Sequence, residues 1–267
     1  MLCRVLGVSR SGFYAWRGRG PDAARVALLG KVRAIARRKR DSYGSRRMAW
    51  ALRRESELVG RDKARRLMRE ARVVCRQRRC FRATTDRALD HAVAPNHLAR
   101  AFAVPQPNRA WVADITALYS QAGWLYLAAV LDLGDRQIVG WALAPHMRGS
   151  LVRQALTMAI GRRGPRAGLM HHSDRGSQYT AADYRTVLAQ HGLVASMSRK
   201  GDCWDNAVME RFFGSLKSEW LQDRRYRSRD ELRRDVVRYI ELEYNSDRPH
   251  FTLGMRTPRE QEMAPVA

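Results

Sequence analysis

The sequence predicts an α/β fold over residues 108–267, preceded by an all-α, strongly basic N-terminal region. Three observations carry this. Lys and Arg crowd the first hundred residues and nearly vanish between Trp111 and Leu143. The hydrophobic period changes from helical to strand-like at the same place. Between the halves lie Pro95, Pro105 and Pro107, which disfavour helix and favour an extended linker over residues 94–107.

Residues 1–20 read as a short helical segment, with LGVSRSGFYAW offering Ser9 as a cap. Residues 21–93 read as basic helices. Ala23 to Arg40 places Val26, Leu29, Val32 and Ile35 mostly three apart, with basic residues on the other face. Ser42-Tyr43-Gly44-Ser45 then makes a turn ending in a cap, followed by a helix from Arg46 to Arg54. After Leu58-Val59-Gly60, a helix from Arg61 to Ala71 buries Ala64, Leu67 and Met68 and exposes Lys63, Arg65, Arg66 and Arg69. Two short helices joined by a tight turn, the second strongly basic, fit a helix-turn-helix; a solvated basic hairpin fits the same pattern.

Beyond the linker, Trp111 to Thr116, Leu125 to Leu133 and Ile138 to Leu143 are apolar runs of strand length. Gly123 and Gly134-Asp135 supply turns, so an antiparallel meander is expected. Helix follows at Ser150 to Arg162, strand at Leu169 to Ser173, helix at Ala181 to His191 and strand at Leu193 to Met197. Helices at Asn206 to Leu216 and Arg229 to Tyr244 complete the order.

Fifty Lys and Arg against 26 Asp and Glu give a net charge of +24, which calls for a polyanionic partner. No stretch approaches the ~18 apolar residues of a membrane span, and the start, MLCRVLGVSRSG, is too polar for a secretory signal. A cytoplasmic, nucleoid-associated bacterial protein is expected. The four cysteines, Cys3, Cys75, Cys80 and Cys203, are scattered and fit a reducing compartment.

An unpaired carboxylate in or beside an apolar strand is costly unless something compensates its charge. Asp114 interrupts the first strand, Asp132 ends the second and Asp174 follows the fourth. Each alone is explained as a turn cap. Glu210 falls on a helix where Asn206, Glu210 and Lys217 share a face, with Met209, Phe212 and Leu216 able to pack beneath. Fifty-nine residues separate Asp114 from Asp174, and 35 separate Asp174 from Glu210.

The stretches YGSRRM, NRAWVADITAL, GWLYLAAVLDL, RQIVGWAL, HHSDRGSQYT, SMSRKGDCWDNAVMERFFGSLKSE and YNSDRPHFTLGMRTP span nearly the whole chain. They resemble the second-frame (OrfB) transposase of the third insertion-sequence family, itself similar to retroviral integrases in its DDE core. The resemblance implies a ribonuclease H-like core behind a helix-turn-helix region. It implies that Asp114, Asp174 and Glu210 bind two catalytic Mg²⁺ or Mn²⁺ ions, leaving Asp132, Asp202 and Asp205 outside the triad. Two hard cations about 4 Å apart suit carboxylate ligands and in-line phosphodiester displacement. The implied cycle is hydrolysis at an element end, followed by attack of the freed 3′-hydroxyl on another phosphodiester.

Implied partners are double-stranded DNA (terminal inverted repeats and target), further copies of the chain, and the upstream-frame (OrfA) protein. The start lacks a heptad zipper, so the product is expected to occur also as the C-terminal part of a frameshift fusion. Lys217 matches a position expected to contact DNA near the cut. Arg175, Ser177, Gln178, Arg199, Lys200 and Asn206 flank the motifs and are candidate DNA contacts. His171 and His172 are neighbours on a strand and point to opposite faces, with one expected to be buried. Cys75, Cys80, His91 and His97 approach zinc-finger spacing, but the gap between pairs is two residues short of the usual twelve. A structure-selective nuclease and a DNA-binding regulator are the competing readings, separated from a transposase by whether strands are cut and then joined.

Overall fold

Apolar side chains on both faces of a five-stranded sheet organise the C-terminal half of the chain. The computed structural model describes residues 2–18, 22–76, 94–199 and 206–264, and divides into two units, residues 1–77 and 78–267.

The first unit contains α1 (Leu2–Val5), α2 (Arg10–Gly18), α3 (Ala23–Arg38), α4 (Ser45–Arg54) and α5 (Arg61–Glu70). Ser9 accepts the Gly12 amide at 2.9 Å, the capping contact expected of it. Asp22 caps α3 by accepting the Ala24 and Arg25 amides. Val32 and Ile35 of α3 pack with Tyr43, Met48, Leu52, Val59, Ala64, Leu67 and Met68 around α4 and α5. Lys63, Arg65, Arg66 and Arg69 all stand outward on α5. Two details differ from expectation. Val26 is exposed, because residues three apart drift round a helix of 3.6 residues per turn and leave the buried stripe. Ser45 is the first helical residue, and Gly44, extended and without a side-chain cap, precedes it.

In the second unit, residues 94–107 form neither helix nor strand, yet the segment is tied down. The His97 and Leu98 amides donate to Ser196 Oγ, and Leu98 is buried in the core. Next come β1 (Ala110–Ser120), β2 (Gly123–Asp132) and β3 (Ile138–Ala144), the expected antiparallel meander. α6 (Gly149–Arg163), β4 (Met170–Ser173), α7 (Ser177–Thr180), α8 (Ala182–Gln190) and β5 (Val194–Met197) follow. α9 (Ala207–Ser215) runs into a π-helical turn, Leu216–Leu221. α10 (Arg229–Arg238) ends in another, Tyr239–Tyr244, and α11 (Pro258–Glu262) closes the chain. The sheet order is β3-β2-β1-β4-β5, with β1, β4 and β5 parallel.

Strand alternation decides what each face buries. Trp111 and Ala113 of β1 face α6 and α8, among Leu151, Leu156 and Tyr184. Ala110, Val112 and Leu118 face α9 and α10, among Met209, Phe212, Leu232 and Tyr239. α6 lies so close to β3 that a Cβ on Gly140 would come within 2.1 Å of the Ala155 carbonyl oxygen. Asp132 is fully buried and its carboxylate accepts the Asn108 and Gly134 amides and the Trp111 indole, so its role is to fix the β2–β3 turn. Nearby, the buried Asp135 pairs with Arg163 at 2.7 Å. Among the described residues, no helix is long and apolar enough to cross a membrane.

Candidate active site

Parallel pairing of β1 with β4 sets the site. Val112 lies opposite His172, the last pairing of β1 with β4, and Asp114 and Asp174 follow two residues later, near enough for the charge of Asp174 to act on the Asp114 carboxyl. Asp114 has the parity of Val112 and therefore faces α9, whose first turn carries Glu210. Asn206, just before α9, is buried and donates from Nδ2 to the Ala113 carbonyl at 3.2 Å, fastening the helix start to β1. Met209, Phe212 and Leu216 pack beneath, as their spacing predicts, leaving Glu210 exposed.

Electrostatics link the three acids. The half-buried Asp114 carboxyl is pushed up to about 8, first by burial and then by the negative charge of Asp174, with Glu210 adding to the rise. The Ile115 amide, 2.7 Å from Oδ1, and the Lys217 ammonium oppose it. Asp174 is open to solvent on one side, but the protein wall on the other raises its carboxyl above the usual range, against the Gly176 amide that donates to Oδ1 at 2.9 Å. A Cβ on Gly176 would stand 2.9 Å from that same oxygen, so a larger residue there would push the Asp174 side chain aside. Lys217 is half-buried in the π-helical turn; burial lowers its ammonium while Asp114 works to raise it.

The remaining candidates divide. Arg175 and Ser177 are exposed beside Asp174, and Arg175 Nε donates to the Ser198 carbonyl at 2.8 Å. Gln178 donates to the Met147 carbonyl at 3.0 Å. Arg199 is exposed at the end of β5. Asn206 faces inward, held by β1, rather than outward toward a ligand. Lys200, Asp202, Cys203 and Asp205 lie outside the described residues, as do Cys80 and His91 of the cysteine–histidine set. Both tandem histidines are buried, not one: His171 Nε2 meets Tyr184 Oη at 3.1 Å, and His172 sits between Ser196 Oγ at 2.9 Å and Ser198 Oγ at 3.1 Å. The His172 side is closed by the segment at His97 and Leu98, whose amides share Ser196 Oγ with His172, and the His171 side by Tyr184 of α8, so opposite faces are both interior.

Sequence reasoning missed Tyr179. Its hydroxyl is buried with no hydrogen-bond partner among the described residues. Burial, then Tyr184, then the charges of Asp114 and Asp174 hold the phenol well above its usual range. The only signal was its place five residues after Asp174, which does not distinguish a core ring from a site residue.

Every acidic donor converging here is a hard carboxylate oxygen, and the raised Asp114 carboxyl marks negative charge that is not neutralised. That donor set fits a divalent cation. Among the described residues, no three His, Cys, Asp or Glu side chains are already gathered tightly enough to hold one.

Comparison with known proteins gives three kinds of match. An integrase core domain matches residues 104–203, a second integrase core model matches residues 191–258, and an HTH-like domain matches residues 23–81. An uncharacterized 31 kDa protein of insertion element IS600 from Shigella sonnei is 45% identical over 260 residues, 96% of each chain. Transposase InsF for insertion sequence IS3A from Escherichia coli (strain K12) is 37% identical over 266 residues, covering 98% of this chain and 92% of the relative. A chain of the simian T-cell lymphotropic virus intasome, solved in complex with PP2A regulatory subunit B56 gamma, superposes with a TM-score of 0.50 at 13% identity. The match covers 89% of this chain and 75% of that one. At that identity the likeness bears on fold alone.

Proposed function

The chain belongs to the family of insertion-sequence transposases built on an integrase core, and from that premise we propose that Asp114, Asp174 and Glu210 are the carboxylates with which it cuts and joins DNA. The observation that supports the assignment is placement: Asp114 lies on β1, Asp174 just past the parallel strand β4, and Glu210 in the first turn of α9, whose start Asn206 fastens to β1. Two Mg²⁺ or Mn²⁺ ions bound by the three would screen the anionic phosphodiester and stabilise the entering and leaving oxygens.

The chain's own residues perform the rest. The Gly176 amide orients Asp174, Asn206 fixes the start of α9 against β1, and Lys217 brings a cation to the Asp114 side for a phosphate oxygen. No protein nucleophile is required. Water attacks phosphorus, the bond to the 3′-oxygen breaks and a 3′-hydroxyl is freed. That hydroxyl then attacks a second phosphodiester, whose own 3′-oxygen leaves. One phosphodiester bond replaces another, so joining needs no external energy source.

Recognition falls to residues 21–93, where Lys63, Arg65, Arg66 and Arg69 offer phosphate contacts to the element's inverted repeats, with residues 94–107 linking to the cutting domain at 108–267. Arg175, Gln178, Arg199 and Lys200 extend contact near the cut. The working form is an assembly of several copies on DNA, with the upstream-frame protein supplied separately or by frameshift fusion, acting at the bacterial nucleoid.

The test uses purified protein, Mg²⁺ and DNA ending in the inverted repeats that flank the gene. Wild type should yield joined strands, and Asp174→Asn should lose both cutting and joining while still binding DNA. Joining by that variant would overturn the site. Cutting without joining by wild type would make the protein a nuclease, and binding alone a regulator.

A further inference from the structure

The β1–β2 hairpin extends beyond its neighbours. β4 pairs with β1 only as far as Val112, and β3 pairs with β2 no further toward the turn than Tyr126, so residues 118–125 form a two-stranded tip. On it Tyr119 and Trp124 face each other across the strands, ring centroids 5.2 Å apart in an edge-to-face pair. They remain 63% and 51% exposed. Among the described residues, no helix covers them.

Arginines lie at the same end of the hairpin. The segment after α9 crosses the tip, with the Gln121 amide donating to the Tyr226 carbonyl at 2.9 Å. Tyr226 is buried and donates to Asp235, which leaves Arg225 and Arg227 exposed on either side of it. Arg229 Nε donates to the Trp124 carbonyl at 3.1 Å. Of the nearby acids, Glu231 accepts the Arg227 amide, Asp230 stands 4.0 Å from Arg233, and Asp235 is taken up by Tyr226 and Arg224. Asp223 is exposed.

Exposed rings among guanidinium groups are the elements of single-strand nucleic-acid binding: bases stack on the rings and phosphates meet the charges. We propose that Tyr119 and Trp124, with Arg225, Arg227 and Arg229, form a stacking platform for an unpaired base of the DNA held in the active site. Tyr119 lies five positions after Asp114, about 17 Å of strand. A strand following β1 covers that distance in at most about five nucleotides, at about 3.4 Å each when stacked. By alternation Tyr119 lies on the face of β1 opposite Asp114. A straight duplex laid along one face does not reach both, whereas an unpaired strand can bend round the tip. Arg229 beside Trp124 and the net charge of +24 favour an anionic strand as the occupant.

This inference rests on the transposase reading but not on the metal assignment, so the test is run without cutting. In an Asp174→Asn background, DNA carries 2-aminopurine about four to six nucleotides from the cleavage position, with that end either paired or unpaired. The unpaired DNA should bind more tightly and its fluorescence should be quenched. Tyr119→Ala/Trp124→Ala should weaken unpaired binding at least tenfold and abolish the quench, with paired binding changed less than twofold; Trp124→Phe should retain most of both. Arg225→Gln/Arg227→Gln, which alters only exposed side chains, should reduce affinity and its salt dependence. Unchanged affinity and quenching in the alanine variant overturn the proposal. So does loss of self-association with DNA binding intact, which would assign the rings to contact between copies.

Discussion

Replacing Asp114 by Asn removes the charge that the fold tolerates least while keeping an oxygen for the Ile115 amide. A carboxyl held at about 8 against an ordinary 3.8 binds its proton more tightly in the folded state than in the unfolded chain. Stability is therefore present at low pH, falls as pH rises from about 4, and is fully lost above about 8. The whole displacement corresponds to about 6 kcal/mol. Solvent reaches the site past the exposed Asp174 and Glu210, and screening reduces this to about 3 kcal/mol. For a unit of this size that is about 6–12 °C in melting temperature. Without metal, wild type and Asp114→Asn should melt closest together near pH 4, where Asp114 holds its proton in the folded chain and largely in the unfolded one, and the variant should melt progressively higher toward pH 9. Mg²⁺ should close the gap by stabilising wild type alone. Thermal unfolding at the two pH values, with and without Mg²⁺, reads all of this. A gap independent of pH, or equal stabilisation of the variant by Mg²⁺, would refute the reasoning.

Further outcomes follow from packing and charge. Gly140→Ala drives a methyl into the backbone of α6 and should cost about 3 kcal/mol or more in urea denaturation. Arg248 is buried and forms two hydrogen-bonded contacts with Glu219, so Arg248→Ala strands a carboxylate and should cost about 3–5 kcal/mol; Arg248→Met/Glu219→Met should recover most of it. Replacing Lys63, Arg65, Arg66 and Arg69 of α5 by Ala should weaken DNA binding, with the slope of log affinity against log salt falling by about 0.9 for each lost phosphate contact. Electrophoretic shift assays over a salt series measure it.

Strands were legible because their apolar runs end at glycines where the backbone turns, as at Gly123 with φ of 102°. The helices of the first unit were legible from their apolar stripes. Short elements were not. α11 has five residues, too few for a period, although Thr257 and Glu260 form a reciprocal capping box with Pro258 at the first position. α7 is shorter still, with four residues. At the site, spacing and resemblance singled out three acids among 26, but not their environment. That depends on the register of β1 against β4 and on Asn206 holding α9 to β1, both long-range pairings. The tip was illegible for the opposite reason: Tyr119 and Trp124 have the residue types of a buried strand, and only the ends of β3 and β4 leave them exposed among the described residues.

An acidic site inside a chain of net charge +24 raises the question of how phosphate approaches it. Three carboxylates and Lys217 sum to −2 if all are ionised, a charge that repels a phosphodiester in a partly desolvated setting. The proton that Asp114 retains at neutral pH halves that charge. The basic surface of α5 needs no such adjustment and attracts DNA over about a Debye length, some 8–10 Å in ordinary salt. Docking and cutting thus have separate electrostatic requirements. DNA binding should persist without metal and change little when Asp174 becomes Asn, whereas cutting requires Asp114 to release its proton to a cation. At limiting Mg²⁺ activity should accordingly rise with pH, and saturating Mg²⁺ should move that rise to lower pH, while DNA affinity stays flat.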